Sequence, residues 1–179
     1  MSSNQLQDVY ITACGAFLPN EPVSNDEMED ILGKVGGVPS RYRKHVLASN
    51  GIKTRYYART KEGKQTHLVE EMAALAVEDA LRNRGMSKES IQMLATSTTV
   101  PDTLMPGFAP MVHGRLGGGP MDVLSASGVC AASMAAMKAA WLAVRAGQHE
   151  NAVSLGAEMS SAVMKASRFE KESEIDDTR

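Results

Sequence analysis

Cys130 is the residue of this chain best placed to form a covalent bond with a substrate. It follows a predicted strand, Met121 to Ser125 (MDVLS), and a tight turn, Ala126 to Val129, and it begins an Ala- and Met-rich helix that runs to Ala146. Unpaired backbone N–H groups at a helix start stabilise anions. They favour the thiolate, the nucleophilic form of cysteine, and can bind the oxyanion of a tetrahedral intermediate.

Small residues surround Cys130 and leave room for an acyl chain and a pantetheine arm. They are Ser125, Ala126, Ser127, Gly128, Ala131, Ala132 and Ser133. The alternative is that Cys130 is an inert buried thiol, because free cysteine is among the most buried residue types. Spacing alone does not choose between these two readings.

The elements that must position Cys130 alternate between strands and helices. Besides the nucleophile segment, strands are predicted at residues 8–14, 93–100 and 151–157, and helices from Ser24, from Thr66 to Gly85, from Ser87, and from Pro106 to Leu116. This order favours an α/β fold with a mostly parallel sheet. The basic segment 40–63 is expected to be a surface loop, and Cys14, inside the first strand, is expected in the core.

Composition excludes several classes of function. The 179 residues are 43% apolar, and 19 basic against 21 acidic residues give a net charge of -2, so nucleic acid is an unexpected partner. No run reaches the roughly 18 apolar residues of a membrane span, and the first residues lack a signal peptide, which predicts a cytoplasmic protein. Two cysteines make neither a disulfide framework nor a zinc site, so no metal is expected.

Three further segments accompany the nucleophile segment 122–140 (DVLSASGVCAASMAAMKAA). They are 50–58 (NGIKTRYYA), 97–116 (STTVPDTLMPGFAPMVHGRL) and 155–158 (LGAE). In order and distance they resemble the Gly-Ile-x-x-Arg signature, the strand and Pro-initiated helix before the cysteine, and the strand after the nucleophile helix of ketoacyl-ACP synthase III-type condensing enzymes. The resemblance covers nearly the whole chain.

The resemblance implies a thiolase fold, layered αβαβα, of which this chain is the N-terminal half. Residues 1–164 would form that half, and 165–179, with nine charges in fifteen residues, would be a charged loop or cleaved end leading to the absent C-terminal half. It also implies that Cys130 is the nucleophile and that the catalytic His and Asn lie in the second half. No histidine here falls at a matching position, neither His45, His67, His113 nor His149.

By the same resemblance, Cys130 carries an acyl group and condenses it with a malonyl or β-ketoacyl thioester, in fatty-acid or specialised polyketide-type biosynthesis. Acyl-CoA or acyl carrier protein thioesters would be the substrates, without a cofactor. The partners would be the C-terminal half, as a separate or cleaved chain, a second copy or a related subunit in a homodimer or heterodimer, and an acyl carrier protein. Met105 would line the acyl pocket across the dimer.

Two other functions stay open: a silent thiolase-fold scaffold subunit, and an acyltransferase that passes the acyl group to an O or N nucleophile. The sequence also departs from the family, because Ser49 and His45 stand where acetyl-CoA-using members have an Arg and a Trp that hold the nucleotide. Five basic residues have two alternative interpretations: a surface that binds an acidic carrier protein or a CoA phosphate, or a solvated loop. They are Arg41, Arg43, Lys44, Lys53 and Arg55. Glu158 is expected to be a buried structural carboxylate, and His113 a core or interface histidine.

Overall fold

Helices and strands alternate along the chain, as predicted. The computed structural model describes residues 6–170. The helices are α1 (Met28–Leu32), α2 (Arg43–Asn50), α3 (Val69–Arg84), α4 (Phe108–Leu116) and α5 (Ala132–Arg145). The strands are β1 (Val23–Ser24), β2 (Thr54–Arg55), β3 (Met93–Thr98), β4 (Asp122–Ser127) and β5 (Val153–Gly156), and short 3-10 turns occur at Val35–Gly37, Lys88–Ser90 and Ser160–Ala162.

Two compact units make up the chain. The first contains residues 6–17 and Leu68–Glu158, and so includes α3, α4, α5 and the three strands β3 to β5. The second contains Leu18–His67 and residues 159–170, with α1, α2 and the short strands β1 and β2. Cys130 lies in the first unit.

A parallel three-stranded sheet forms the centre of the first unit. β3 lies between β4 and β5, and all six of its residues are buried. Thr98 is level with Ser127, and Ser97 is level with Gly156. Because the strands are parallel, the segments that leave β3, β4 and β5 all start at the same edge of the sheet.

Helix α5 packs on the sheet through alanines. Ala136, Ala140 and Ala143 share a core with Met93 and Ala95 of β3. The small side chains recur at helical spacing and form one face, so the helix backbone can approach the strands closely. This face explains why the sequence after Cys130 is so rich in alanine.

The second unit contains elements that the sequence did not predict. Segment 40–63 was expected to be a loop, but it contains α2 and β2, and β2 pairs antiparallel with β1. Gly51 ends α2 with a φ of 67°, a left-handed conformation that favours glycine. The helix was missed because it is short and has no buried residue, so no apolar stripe marks it.

Two expectations for residues 8–14 are wrong. This segment is not a strand, and the Cys14 side chain is exposed rather than in the core. A strand needs a hydrogen-bonded neighbour, and among the described residues none pairs with this segment. It is held on α3 instead, where the Asn83 side chain donates to the Cys14 carbonyl at 3.0 Å. Tyr10 and Ile11 are left exposed.

Helix α1 begins at Met28, four residues later than the predicted start at Ser24, which lies in β1. Ser24 is nevertheless joined to the residue that precedes α1, since the Glu27 carboxylate accepts hydrogen bonds from the Ser24 hydroxyl at 2.8 Å and the Ser24 N–H at 3.3 Å. These bonds hold the pKa of Glu27 below its ordinary value.

Within residues 6–170, no helix is both long and apolar enough to cross a membrane. The predicted charged end at 165–179 falls largely on residues 171–179, which lie outside the described part. The boundary at residue 164 therefore stays a prediction.

Candidate active site

Cys130 lies in an exposed turn between β4 and α5. The strand ends at Ser127, and Gly128 follows with a φ of 147°. Residues other than glycine rarely adopt this backbone conformation. The Ala132 N–H then donates to the Val129 carbonyl at 3.0 Å and closes the turn. The helix was expected to begin at Cys130 itself, but it begins two residues later. The Cys130 side chain is exposed.

Three strand ends meet beside this turn. Thr99 directly follows β3, Gly128 directly follows β4, and Glu158 lies two residues beyond β5. The Thr99 hydroxyl oxygen is 2.8 Å from the Gly128 carbonyl oxygen and 2.7 Å from Glu158 Oε1. The Thr99 N–H donates to the same Oε1 at 2.7 Å. Glu158 is thus hydrogen-bonded to Thr99. Its side chain is exposed, so the expectation that it is buried is wrong.

Polar side chains also tie the start of α5 to the strands. The hydroxyl oxygens of Ser97 on β3 and Ser133 on α5 are 2.9 Å apart, and Ser97 Oγ is 3.4 Å from the Leu155 carbonyl. Gly156 lies against both serines. This arrangement fixes the first turn of α5, and with it the position at which the turn of Cys130 ends.

The loop that contains Met105 is fixed at both ends. Asp102 Oδ2 accepts a hydrogen bond from the Val69 N–H at the start of α3, at 2.5 Å. Ser125 Oγ accepts one from the Ala109 N–H in the first turn of α4, at 2.8 Å. Between these anchors, Met105 is 85% exposed. The structure thus places Met105 on a surface loop, and its role in an acyl pocket stays a prediction.

The four histidines lie in different parts of the chain. His149 Nε2 is 2.7 Å from Asp122 Oδ2, at the start of β4, which is the opposite end of that strand from Cys130. His113 is half-buried in the last turn of α4, and His45 and His67 belong to the second unit. Among the described residues, no group of three or more His, Cys, Asp or Glu side chains could hold a metal ion.

The basic residues for which a binding surface and a solvated loop were the alternatives belong to the second unit, and two of them form internal contacts. Arg43 forms ion pairs with Asp26 at 2.8 Å and with Glu29 at 3.2 Å. Arg55, the arginine of the Gly-Ile-x-x-Arg signature, donates to the Asn25 side chain. These two arginines hold the unit together, and they do not form a free basic patch.

Sequence reasoning did not single out Thr99. Its signal was present, because residues that directly follow parallel strands meet at one sheet edge, where α/β proteins commonly bind ligands. Once the ends of the strands are known, Thr99 and Glu158 stand out because they follow β3 and β5 at the edge of the sheet where Cys130 lies. From the sequence alone, Glu158 was expected to have only a structural role.

The sequence of this chain is similar to those of known condensing enzymes. No family model matches it. It is 27% identical to β-ketoacyl-ACP synthase III 1 of Lactiplantibacillus plantarum, over 86% of this chain and 44% of the relative. It is 29% identical to β-ketoacyl-ACP synthase III 3 of Streptomyces coelicolor, over 86% of this chain and 42% of that protein.

Solved structures of condensing enzymes have the same fold. A tetronic acid condensing enzyme superimposes with a TM-score of 0.73 at 23% identity, over 85% of this chain and 46% of the other. The β-ketoacyl-ACP synthase III of Thermus thermophilus superimposes with a TM-score of 0.69 at 26% identity, over 87% and 44%. The predicted thiolase-type α/β fold is confirmed. The chain is thus similar in sequence and fold to the β-ketoacyl-ACP synthase III condensing enzymes, and it spans 42% to 44% of the length of the curated relatives it matches.

Proposed function

We propose that the protein containing this chain is a ketosynthase in which Cys130 carries the acyl group. The observation that carries the proposal is the exposed thiol on a turn built from small residues at the carboxyl edge of the parallel sheet. The similarity to enzymes named β-ketoacyl-ACP synthase III supports the same reaction class.

The chemistry has two steps. The Cys130 thiolate attacks the carbonyl carbon of an acyl thioester, a new C–S bond forms while the donor's acyl C–S bond breaks, and the donor leaves as a thiolate that takes up a proton from water. A malonyl thioester then loses carbon dioxide, and its carbanion attacks the acyl carbon on Cys130. A C–C bond forms, the thiolate is released, and the product is a β-ketoacyl thioester. A β-ketoacyl extender would be deprotonated in place of the decarboxylation.

We propose that a second half of the same fold completes the enzyme and supplies its acid–base residues. Helix α5 supports this. One face packs on the sheet through alanines, while Met134, Met137 and Trp141 on the helix remain 64%, 39% and 41% exposed. A helix that is apolar on both faces is built to be buried on both. The second half, as a separate or cleaved chain, would cover this face, and the whole would form a homodimer or a heterodimer.

Met105 is proposed to line the acyl pocket of the opposite subunit. Its loop is anchored at Asp102 and at the start of α4, yet the side chain projects from the unit and is 85% exposed. A long apolar side chain on a fixed loop gains from burial against a partner. An acyl carrier protein is a further proposed partner, and the cytoplasmic location stays a prediction.

Product analysis tests the reaction. The full-length protein is incubated with an acyl-CoA and a malonyl thioester, on CoA and on an acyl carrier protein, and the products are identified by mass spectrometry. A β-ketoacyl product, lost in Cys130→Ala and kept in Cys14→Ala, supports the proposal. An ester, an amide or free acid would indicate transfer to an O or N nucleophile or to water. No product with any donor would indicate a scaffold subunit.

A further inference from the structure

Glu158 is a carboxylate that the proposed reaction does not use, yet it contacts the turn that carries Cys130 through a single residue. Thr99 lies between them, with its N–H 2.7 Å and its hydroxyl oxygen 2.7 Å from Glu158 Oε1. The same hydroxyl is 2.8 Å from the Gly128 carbonyl oxygen. The contacts cross all three strand ends in the order β5, β3, β4.

The contacts have distinct tasks. A threonine hydroxyl has one hydrogen, so it donates to Glu158 or to Gly128 at any moment. The backbone N–H of Thr99 donates to the Glu158 carboxylate in either case, and this hydrogen bond holds the carboxylate at the end of β3. The hydroxyl thereby stays within hydrogen-bond distance of Gly128, two residues before Cys130.

Side-chain packing does little to fix this turn. Gly128, Val129, Cys130 and Ala131 are all exposed. A β-carbon on Gly128 would make one ordinary contact, with the Ala132 β-carbon at 3.7 Å, and Ala132 belongs to the helix that follows rather than to a neighbouring strand. The Ala132–Val129 hydrogen bond closes the turn internally but does not fix it to the sheet. The Thr99 hydroxyl, directly after β3, contacts the Gly128 carbonyl and so links the turn to the sheet.

We propose that Thr99 and Glu158 are positioning residues, which hold the turn so that the Cys130 thiol faces the acyl carbonyl in the acylation step. The proposal rests on the proposed function of Cys130. It concerns attack geometry rather than substrate binding, because small displacements of a nucleophile lower the rate of attack without removing any contact to the substrate.

Four variants of the full-length protein separate this role from a general structural one. Thr99→Val removes the hydroxyl at constant shape, and Thr99→Ser keeps it. Glu158→Ala removes the acceptor, and Glu158→Gln keeps an oxygen that can accept both bonds from Thr99. Thr103→Val is the matched control, since this threonine lies in the same loop and its hydroxyl contacts only Met111 Sδ among the described side chains.

The measurement is the single-turnover rate at which each variant acquires an acyl group on Cys130, followed by intact mass over a range of acyl-CoA concentrations. At saturation, Thr99→Val and Glu158→Ala are expected to acylate about tenfold more slowly, the loss that one hydrogen bond of about 1.4 kcal/mol would give. The half-saturating concentration and the Tm should stay near those of the wild type. Thr99→Ser, Glu158→Gln and Thr103→Val should keep the wild-type rate.

Three results would overturn the proposal. Wild-type rates in Thr99→Val and Glu158→Ala would show that the contacts do not affect acylation. If Thr99→Ser were as slow as Thr99→Val, and Glu158→Gln as slow as Glu158→Ala, the hydrogen bonds would not be the cause of the loss. Rates that fall together with the Tm or with substrate affinity would indicate a structural role. If the wild type itself is never acylated, the proposed function fails first and the positioning role with it.

Discussion

Ser133, in the first turn of α5, and Ser97, in the buried strand β3, face each other with hydroxyl oxygens 2.9 Å apart, and Gly156 lies against both. The helix that follows Cys130 is thus joined to the centre of the sheet through a polar contact where a methyl group does not fit. The space at Gly156 therefore decides how closely α5 can approach β3 and β5.

Gly156→Ala should therefore destabilise the protein. An added β-carbon would lie under 3.0 Å from Ser133 Oγ, which real contacts essentially never show. Overpacking of this kind costs about 1–3 kcal/mol, measured as the free energy of unfolding of the full-length protein in denaturant. Combination with Ser133→Ala should recover part of the loss, because the hydroxyl is the closest obstacle. Unchanged stability in Gly156→Ala would contradict this packing.

Gly15→Ala should detach the segment before Phe17 from α3. A β-carbon there would collide with the backbone of Ala80, which cannot rotate away as a side chain can. Faster hydrogen exchange across residues 8–17 is the expected result. Gly114→Ala is the control: it lies in α4 with nothing within 4 Å, and alanine should stabilise that helix by about 1 kcal/mol. Equal protection in Gly15→Ala and wild type would refute the close approach.

The attachment of the same segment should weaken at low pH. Asp79 Oδ2 accepts a hydrogen bond from the Ala16 N–H at 3.1 Å, and this bond, followed by that to Arg82, holds the pKa of Asp79 below its ordinary value. A carboxyl with a lowered pKa stabilises the folded form above its unfolded-state pKa, and the contribution is lost as pH falls through the folded-state value. The Ala16 amide signal should shift with the Asp79 titration, at a midpoint below that of free aspartate. A midpoint at or above it would contradict the contact.

Arg43→Ala should destabilise the second unit. The guanidinium group pairs with Glu29, which is only 8% exposed, and removal would leave a buried carboxylate with the Ser40 N–H as its remaining partner among the described contacts. A loss of about 1–3 kcal/mol is expected from the cost of an unpaired polar group, read from denaturant unfolding. Lys44→Ala, the exposed neighbour, is the control and should change little. Equal effects of the two variants would sink this account.

Met105→Ala should change which acyl chains load onto Cys130. If the side chain lines a pocket in the opposite subunit, a shorter residue lengthens that pocket, and the preferred chain should become longer. Leu104→Ala is the matched control, because Leu104 is equally exposed on the same loop, at 89%. The ranking of acyl-CoAs of graded length gives the result. An identical ranking in wild type, Met105→Ala and Leu104→Ala would remove Met105 from the pocket.

Burial marks several of the elements that the sequence predicted. β3 was found within two residues because all of its residues are buried, and α3 was found because its apolar stripe ends at Gly85. Helix α2 and the contacts of Glu158 carry no such mark. Helix α2 buries no residue, and the role of Glu158 depends on the order of the strands, which brings it beside Thr99 across 59 residues of chain.

The nucleophile shows the same division. Cys130 could be singled out from its small neighbours, but the start of α5 was placed two residues early because Ala131, a strong helix former, joins Cys130 to the Ala-rich helix without a break in composition. The segment 8–14 was misjudged for a different reason. Its alternating pattern is that of a strand, and a strand forms only when a neighbour offers a ladder.

The central claim is that Cys130 is the residue that carries the acyl group. Intact-mass spectrometry of the full-length protein after incubation with acyl-CoAs of graded length tests it most directly, with Cys130→Ala beside Cys14→Ala, the other exposed cysteine. We expect one acyl adduct in the wild type and in Cys14→Ala, and none in Cys130→Ala. An adduct that persists in Cys130→Ala, or no adduct from any acyl-CoA or acyl carrier protein, would contradict it.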